Sequence, residues 1–288
     1  MRYAACAAAL LLVCCTATPS DEDAGAPFDA GLDATEGDSG ERDSDVPTDA
    51  PAEEDAGMAD LDGDGLADAE ELRLASEYLP YFSVSDTDEC ALSGILFRMR
   101  PHPDDPTRIA ATFVVLYEVD CGAGGHPGDD EVFGMTIDPT VPAPAGILAI
   151  RTIAHQNTAC EAVGECGTCA GLAPCTTGPR RGASYPAIFA SRDKHGWYAH
   201  EAECDNACFF TNQGDVASSP AEPMMLNAGE PAAPLTNDLT DSGLITTANG
   251  WTDTSLFHFD PWASMDFGGA GDTTSDLVDP AFLTPTCR

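Results

Sequence analysis

Residues 113–137 read "FVVLYEVDCGAGGHPGDDEVFGMTI". Two runs rich in Val, Phe, Tyr and Ile stand on either side of a loop made of Gly, Pro, Asp and one His. β-branched and aromatic runs bounded by turn residues predict two strands and a connecting loop. Runs of the same kind recur at "GILFRMRP" (94–101), "RIAATFVVLYEVD" (108–120), "GILAIRTIAHQ" (146–156) and "YPAIFASRD" (185–193). Helical patterns do not alternate with them, which argues against βαβ units. The expected fold is mainly β: an antiparallel β-sandwich over residues 78–288 with long, disulfide-stapled loops. The last 70 residues carry turns such as "NAGEPAAP" (227–234) and an aromatic stretch, "GWTDTSLFHFDPWASMDFGGAGD" (250–272), but little regular signal.

The glycine loop also carries chemistry. If the second strand resumes at Asp129, period-two alternation puts Asp129 and Glu131 on one face, and His126 can fold over from the turn. Two carboxylates and an imidazole suit Ca²⁺, Mg²⁺ or Mn²⁺, with Glu118 or Asp120 of the preceding strand completing the shell. The competing reading is a solvated acidic hairpin loop. Further on, "SRDKHGWY" (191–198) gathers the chain's single lysine, a histidine and two aromatics. Lys194 and His195 there are candidates for catalysis, and the competing reading is a turn whose Trp197 and Tyr198 enter the core. His102, His155, His200 and His258 have no comparable setting and read as structural or surface residues.

Upstream, "DLDGDGLADAEE" (60–71) places Asp60, Asp62, Asp64, Asp68 and Glu71 at positions 1, 3, 5, 9 and 12 of a calcium loop. Gly65 permits the sharp turn at position 6, the Leu66 carbonyl takes position 7, and Glu71 can bind through both oxygens. The following "AEELRLASEYLPYF" reads as a helix, so residues 59–77 are expected to form a calcium loop and a short helix. No helix pattern precedes the loop. It resembles the single loops of thrombospondin type 3 repeats and dockerins, which implies a structural Ca²⁺ at the millimolar calcium of extracellular modules.

The rest of the chain gives an expected address. "MRYAACAAALLLVCC" has a charged start and an apolar run too short for a transmembrane helix, as in a secretory signal. It resembles a bacterial lipobox, which implies a signal peptide over residues 1–14, lipidation of Cys15, and a membrane anchor at the outer membrane or cell surface. A plain secretory signal cleaved near Ala17 is the alternative. Residues 15–58 are acidic, with Arg42 as their single base and very few large apolar side chains, and read as a disordered spacer. The formal net charge of the chain is −37, which makes nucleic acid an ill-suited partner. Nine cysteines follow Cys15, at 90, 121, 160, 166, 169, 175, 204, 208 and 287. In an exported chain they read as disulfides with one left over, and the C-x-x-C at Cys166 and Cys169 reads as part of a stapled loop rather than as a zinc or redox site.

His126, Gly128, Asp129 and Glu131 fall on the "HxGDWE" segment of the Vps62/DUF946-like family, with Asp130 in place of Trp. More distantly the loop resembles the "GHRHDWE" segment of the necrosis-inducing NPP1-like proteins. "YPAIFASRDKHGWYAHEAEC" (185–204) is similar to the "PVVYVAKGSHA" segment of Vps62-like proteins, with Lys194 and His195 in the matching place. "LFHFDPWASMDFGGAGD" (256–272) is similar to that family's Trp and Gly ending. The resemblance implies a β-sandwich with a divalent cation, Ca²⁺ or Mg²⁺, near its rim. Three functions follow as expectations. The first is a membrane-anchored, calcium-stabilised domain that recognises a glycan, lipid headgroup or envelope protein, with Trp197, Tyr198, Trp251 and Trp262 as stacking groups, or that serves an envelope structural role. The second is a metal-dependent hydrolase using His126, Asp129 and Glu131 with His195. The third is an NPP1-like cytolysin.

Overall fold

The computed structural model describes residues 59–288 except 91, 123, 157–159, 206–215, 219–222, 244, 248–256, 259, 264–272, 286 and 288. The expectations for residues 1–14, Cys15, the acidic stretch to residue 58 and Trp251 lie outside the described residues. Helix α1 (Asp68–Tyr78) leads into β1 (Tyr81–Ser85), β2 (Leu92–His102), β3 (Asp105–Val119), β4 (Pro127–Ile137), β5 (Ile147–Ala154) and β6 (Ala162–Gly167). Then come β7 (Thr177–Arg180), β8 (Ala183–Ala190), β9 (Trp197–Tyr198), α2 (Glu201–Asp205), β10 (Val216–Ser218), β11 (Met225–Asn227), β12 (Gly229–Glu230), β13 (Ala233–Pro234) and α3 (Thr273–Val278).

The protein is mainly β, as expected. Strands β2 to β6 form consecutive antiparallel pairs, and β11 joins the free edge of β2 to give a six-stranded sheet, β11-β2-β3-β4-β5-β6. A five-stranded sheet runs β10-β1-β8-β7, with β9 also paired to β8. Two pairings depart from the antiparallel expectation: β1 with β8 and β2 with β11 run parallel. Parallel neighbours need a long crossover, and most of the six-stranded sheet intervenes between β1 and β8. A strand reading made run by run does not see partners that distant.

The two sheets pack face to face. Register aligns Phe97, Phe113 and Phe133 across β2, β3 and β4. The Phe113 and Phe133 rings stack with centroids 4.9 Å apart, and Phe82 of β1 meets Phe133 edge-on at 5.8 Å. Phe82 also packs on Trp197 at 4.9 Å, so the row of rings bridges both sheets. The opposite face of the large sheet is buried as well. Leu96, Val114, Leu116, Val132 and Ile153 pack beneath Leu239, Ile245, Phe257, Leu277 and Leu283 from the C-terminal segment. Burial on both faces explains why β2 to β4 read as near-continuous apolar runs and not as clean alternation.

Three devices fix this third layer. A Cβ at Gly134 would lie 1.9 Å from the Leu283 carbonyl oxygen, so only glycine lets the C-terminal chain lie this close to β4. Arg98, buried in β2, pairs with Glu230, donates to the Leu277 and Val278 carbonyls, and sits 5.5 Å over the Trp262 ring. The disulfide Cys169–Cys287 ties the C-terminus to the turn after β6. The C-x-x-C cysteines do not pair with each other: Cys166 bonds Cys175. Cys90 bonds Cys121, Cys160 is also disulfide-bonded, and Cys204 is buried as a thiol.

Candidate functional site

Two acid-rich regions carry the predicted site residues. In the first, Asp60 shapes the calcium loop by accepting from the Gly63 amide at 2.8 Å and the Gly65 amide at 3.1 Å. Both glycines have positive φ, 74° and 100°, a conformation that a side chain would strain. Ligand oxygens of Asp60, Asp62 and Asp68 lie within 4.8 Å of one another. Asp64 Oδ1 accepts from the Leu66 amide at 2.7 Å, and Leu66 packs against the main core.

Glu71 is held differently. Residues 71, 74, 75 and 78 form the buried i, i+3, i+4, i+7 stripe of α1, so the position-12 carboxylate is drawn inside together with Leu74, Ala75 and Tyr78. It is 0 % exposed, and its Oε2 accepts from Asn227 Nδ2 of β11 at 2.9 Å. Three buried oxygens in this loop, Asp62 Oδ2, Asp64 Oδ2 and Glu71 Oε1, have no hydrogen-bond donor among the described residues. Burial raises Asp62 above the usual carboxylate range, pushes Asp64 up to about 6 and Glu71 up to about 8, each with neighbouring acids adding to the rise. Buried carboxylate oxygens without donors are costly, and an all-oxygen set of this charge fits a hard divalent cation such as Ca²⁺.

The second region lies at the end of the sandwich where β3 and β4 part. Register pairs Tyr117 with Asp129 and Val115 with Glu131, so both acids share the face that packs on the small sheet, as alternation predicts. Glu118 falls on the other face and is separated from them by the sheet. Asp129 is buried and accepts from His195 Nδ1 at 2.7 Å, while His195 Nε2 lies 3.4 Å from Asp88 Oδ1. The imidazole is 0 % exposed and stacks on Tyr117, with centroids 3.7 Å apart and planes 5° apart. Burial alone would lower the His195 pKa, but the hydrogen bonds to Asp129 and Asp88 outweigh it and push it up to about 9. Burial would raise Asp88, yet His195 and the amides of Cys90 and Asp193 hold it below the usual carboxylate range.

Lys194 turns the other way and pairs with buried Asp120. Asp120 also accepts from the Gly122 amide at 2.8 Å, and His126 Nε2 lies 3.7 Å from its Oδ2. His126 Nδ1 donates to the Gly128 carbonyl at 2.7 Å. Glu131 is 6 % exposed and is raised well above the usual carboxylate range by burial and then by Asp129, Asp130 and Asp120. Among the described residues, His126, Asp129 and Glu131 do not bring three ligand atoms within 4.8 Å of one another. Asp238, Asp241 and His258 do, but largely in solvent.

Trp197 and Tyr198 are core residues rather than a stacking surface, and Trp262 lies under Arg98. Sequence reasoning missed Asp88 and Tyr117. The signal for Asp88 was its place two residues before Cys90, whose partner Cys121 adjoins Asp120. Tyr117 was available from strand alternation, two residues along from Val115.

No protein-family model and no curated protein matches this chain. A search of solved structures found a chain described as "Toxin fold for microbial attack and plant defense", with 13 % identity, a TM-score of 0.24 and coverage of 52 % of this chain. The match spans 65 % of that chain, under two thirds of its length.

Proposed function

We propose that this protein is an exported lipoprotein, anchored through Cys15 and spaced from its membrane by the acidic stretch to residue 58, that displays a calcium-stabilised β-sandwich as a binding or structural module. Its partners are a glycan, a lipid headgroup or an envelope protein, and the Vps62-like resemblance belongs to this reading. The observation that supports it best is the set of donor-less buried oxygens on Asp62, Asp64 and Glu71. Because Glu71 reaches into the sandwich to Asn227, a Ca²⁺ held there stiffens the domain itself and not only a stalk.

The hydrolase reading asks His195 to act as a general acid or base. A buried imidazole that holds its proton at neutral pH and spends both nitrogens on carboxylates is poorly placed for that work. The test is thermal unfolding of the full chain in millimolar Ca²⁺ and in chelator, followed by glycan and lipid arrays in both conditions. A higher melting temperature with Ca²⁺ and array binding that needs Ca²⁺ are the expected results. An unchanged melting temperature overturns the calcium part of the reading. Hydrolysis abolished by His195→Ala would overturn the non-catalytic part.

A further inference from the structure

We propose that Lys194 and His195 are built-in counter-cations of the carboxylate cluster at the end of the sandwich, and that Lys194 keeps a divalent ion out of the place where the family resemblance implies one. This rests on residues other than the calcium loop and stands or falls separately from it.

The donor set does not fit a metal as it is arranged. A divalent ion needs several carboxylate oxygens converging on one point. Here Asp129 is directed at His195, Asp88 at His195 and two backbone amides, and Asp120 at Lys194. His126 has turned its Nδ1 to its own turn at Gly128.

The fold goes to some length to place these two cations. Asp193 and His195 both adopt left-handed backbone, φ 64° and 58°, uncommon for residues with side chains and a source of strain. The turn is closed by His195 N to Ser191 O at 2.8 Å and docked by Asp193 N to Asp88 Oδ2 at 3.1 Å. The Lys194 stem crosses Gly122, where a Cβ would lie 2.0 Å from Lys194 Cδ. A side chain at 122 would push the lysine stem off its present path. The disulfide Cys90–Cys121 holds the strand ends that carry Asp88 and Asp120, so the acids the two cations neutralise are stapled to each other. Three carboxylates face the two cations; Glu131 has no ion pair or hydrogen bond among the described residues, and burial favours its neutral form.

Lys194 is the chain's single lysine, which makes a clean test possible on the native protein. Reductive methylation of Lys194 in the full chain, read by mass spectrometry of its peptide, is expected to proceed at the same rate with calcium alone and with added Mg²⁺ or Mn²⁺. Acceleration by either ion would mean that the ion displaces the ammonium from Asp120, and would overturn the proposal. The second test counts bound Mn²⁺ by electron paramagnetic resonance. Wild type and Asp120→Asn are expected to hold equal numbers of ions. Lys194→Met leaves Asp120 without its cation beside Glu131 and with His126 Nε2 3.7 Å away, and is expected to gain one ion through those groups, bound at least tenfold more tightly than the background. One more ion in wild type than in Asp120→Asn overturns the proposal, as does a folded Lys194→Met chain that gains none. Failure of the Asp60–Glu71 loop to bind calcium would leave the methylation comparison and the differences in ion count between the variants unchanged.

Discussion

The loop at residues 60–71 and the sandwich end around Asp129 are both short, glycine-bearing and crowded with carboxylates, yet the fold resolves them in opposite ways. In the first, buried oxygens of Asp62, Asp64 and Glu71 are left without donors among the described residues. In the second, Asp88, Asp120 and Asp129 are answered by side chains from one distant turn, 191–198. An acidic motif therefore does not specify a metal. What packs against it decides whether its charge is met by an ion from solvent or by the chain itself.

The sharpest way to break this contrast is Asp129→Ala. It strands the His195 imidazolium in the core with only the longer contact to Asp88, and losing one partner of a buried ion pair costs about 3–5 kcal/mol. Chemical denaturation at pH 7 should show that loss equally in calcium and in chelator. A loss confined to calcium would make Asp129 a metal ligand after all.

Removing calcium tests the other region. If calcium is present at 100 to 1,000 times its dissociation constant, chelation should lower stability by about 2.7–4.1 kcal/mol. Glu71→Gln should abolish this difference and raise the stability of the calcium-free protein. The sign follows from the folded-state pKa of about 8 against the ordinary 4.5. The folded chain keeps a proton that the unfolded chain releases, so calcium-free stability is fully present below about pH 4.5 and falls as pH rises toward 8. An amide has no proton to retain, and the variant should lose that slope. If Glu71→Gln destabilises the protein in chelator, the carboxylate is satisfied without calcium and the contrast fails.

In saturating calcium a different slope should remain. His195 has its pKa raised from 6.5 to about 9, so its contribution is whole below about pH 6.5 and disappears as pH climbs through 9. The amount at stake is on the order of 3 kcal/mol. Urea midpoints between pH 6 and 10 should fall in wild type and flatten in His195→Gln. Equal slopes in the two would remove the imidazolium from the account.

The parts of this arrangement that were legible in the sequence are those set by local spacing. Period two put Asp129 and Glu131 on one face, and the calcium-loop spacing placed Asp60, Asp62 and Asp68 together. Val, Phe and Ile runs bounded by Gly and Pro marked the long strands β2 to β5. What was not legible depends on which distant segments meet. Asp129 and His195 are 66 residues apart, and Glu71 and Asn227 are 156 apart. The aromatics of "SRDKHGWY" were ambiguous for the same reason: Trp197 could be a stacking platform or core until β9 was seen to lie on β8 against Phe82.

A third acidic arrangement, on the outer face of α1, supplies the scale. Arg73 pairs with Glu70 at 2.6 Å and with Glu77 at 2.5 Å, in geometry as close as the 2.7 Å contact between His195 and Asp129. All three side chains are more than two fifths exposed. Water solvates each charge when the pair is broken, and salt screens it when it is made, so Arg73→Ala should cost only about 0.3–1 kcal/mol. Half-molar salt should erase most of that cost, whereas the Asp129→Ala loss should barely respond, because a pair sealed beneath Tyr117 lies out of reach of the counter-ions. If the two losses were equal, pairing alone would explain both. A severalfold difference would assign the strength of the sandwich end to burial, which turns an ordinary pair of charges into one that the fold cannot do without.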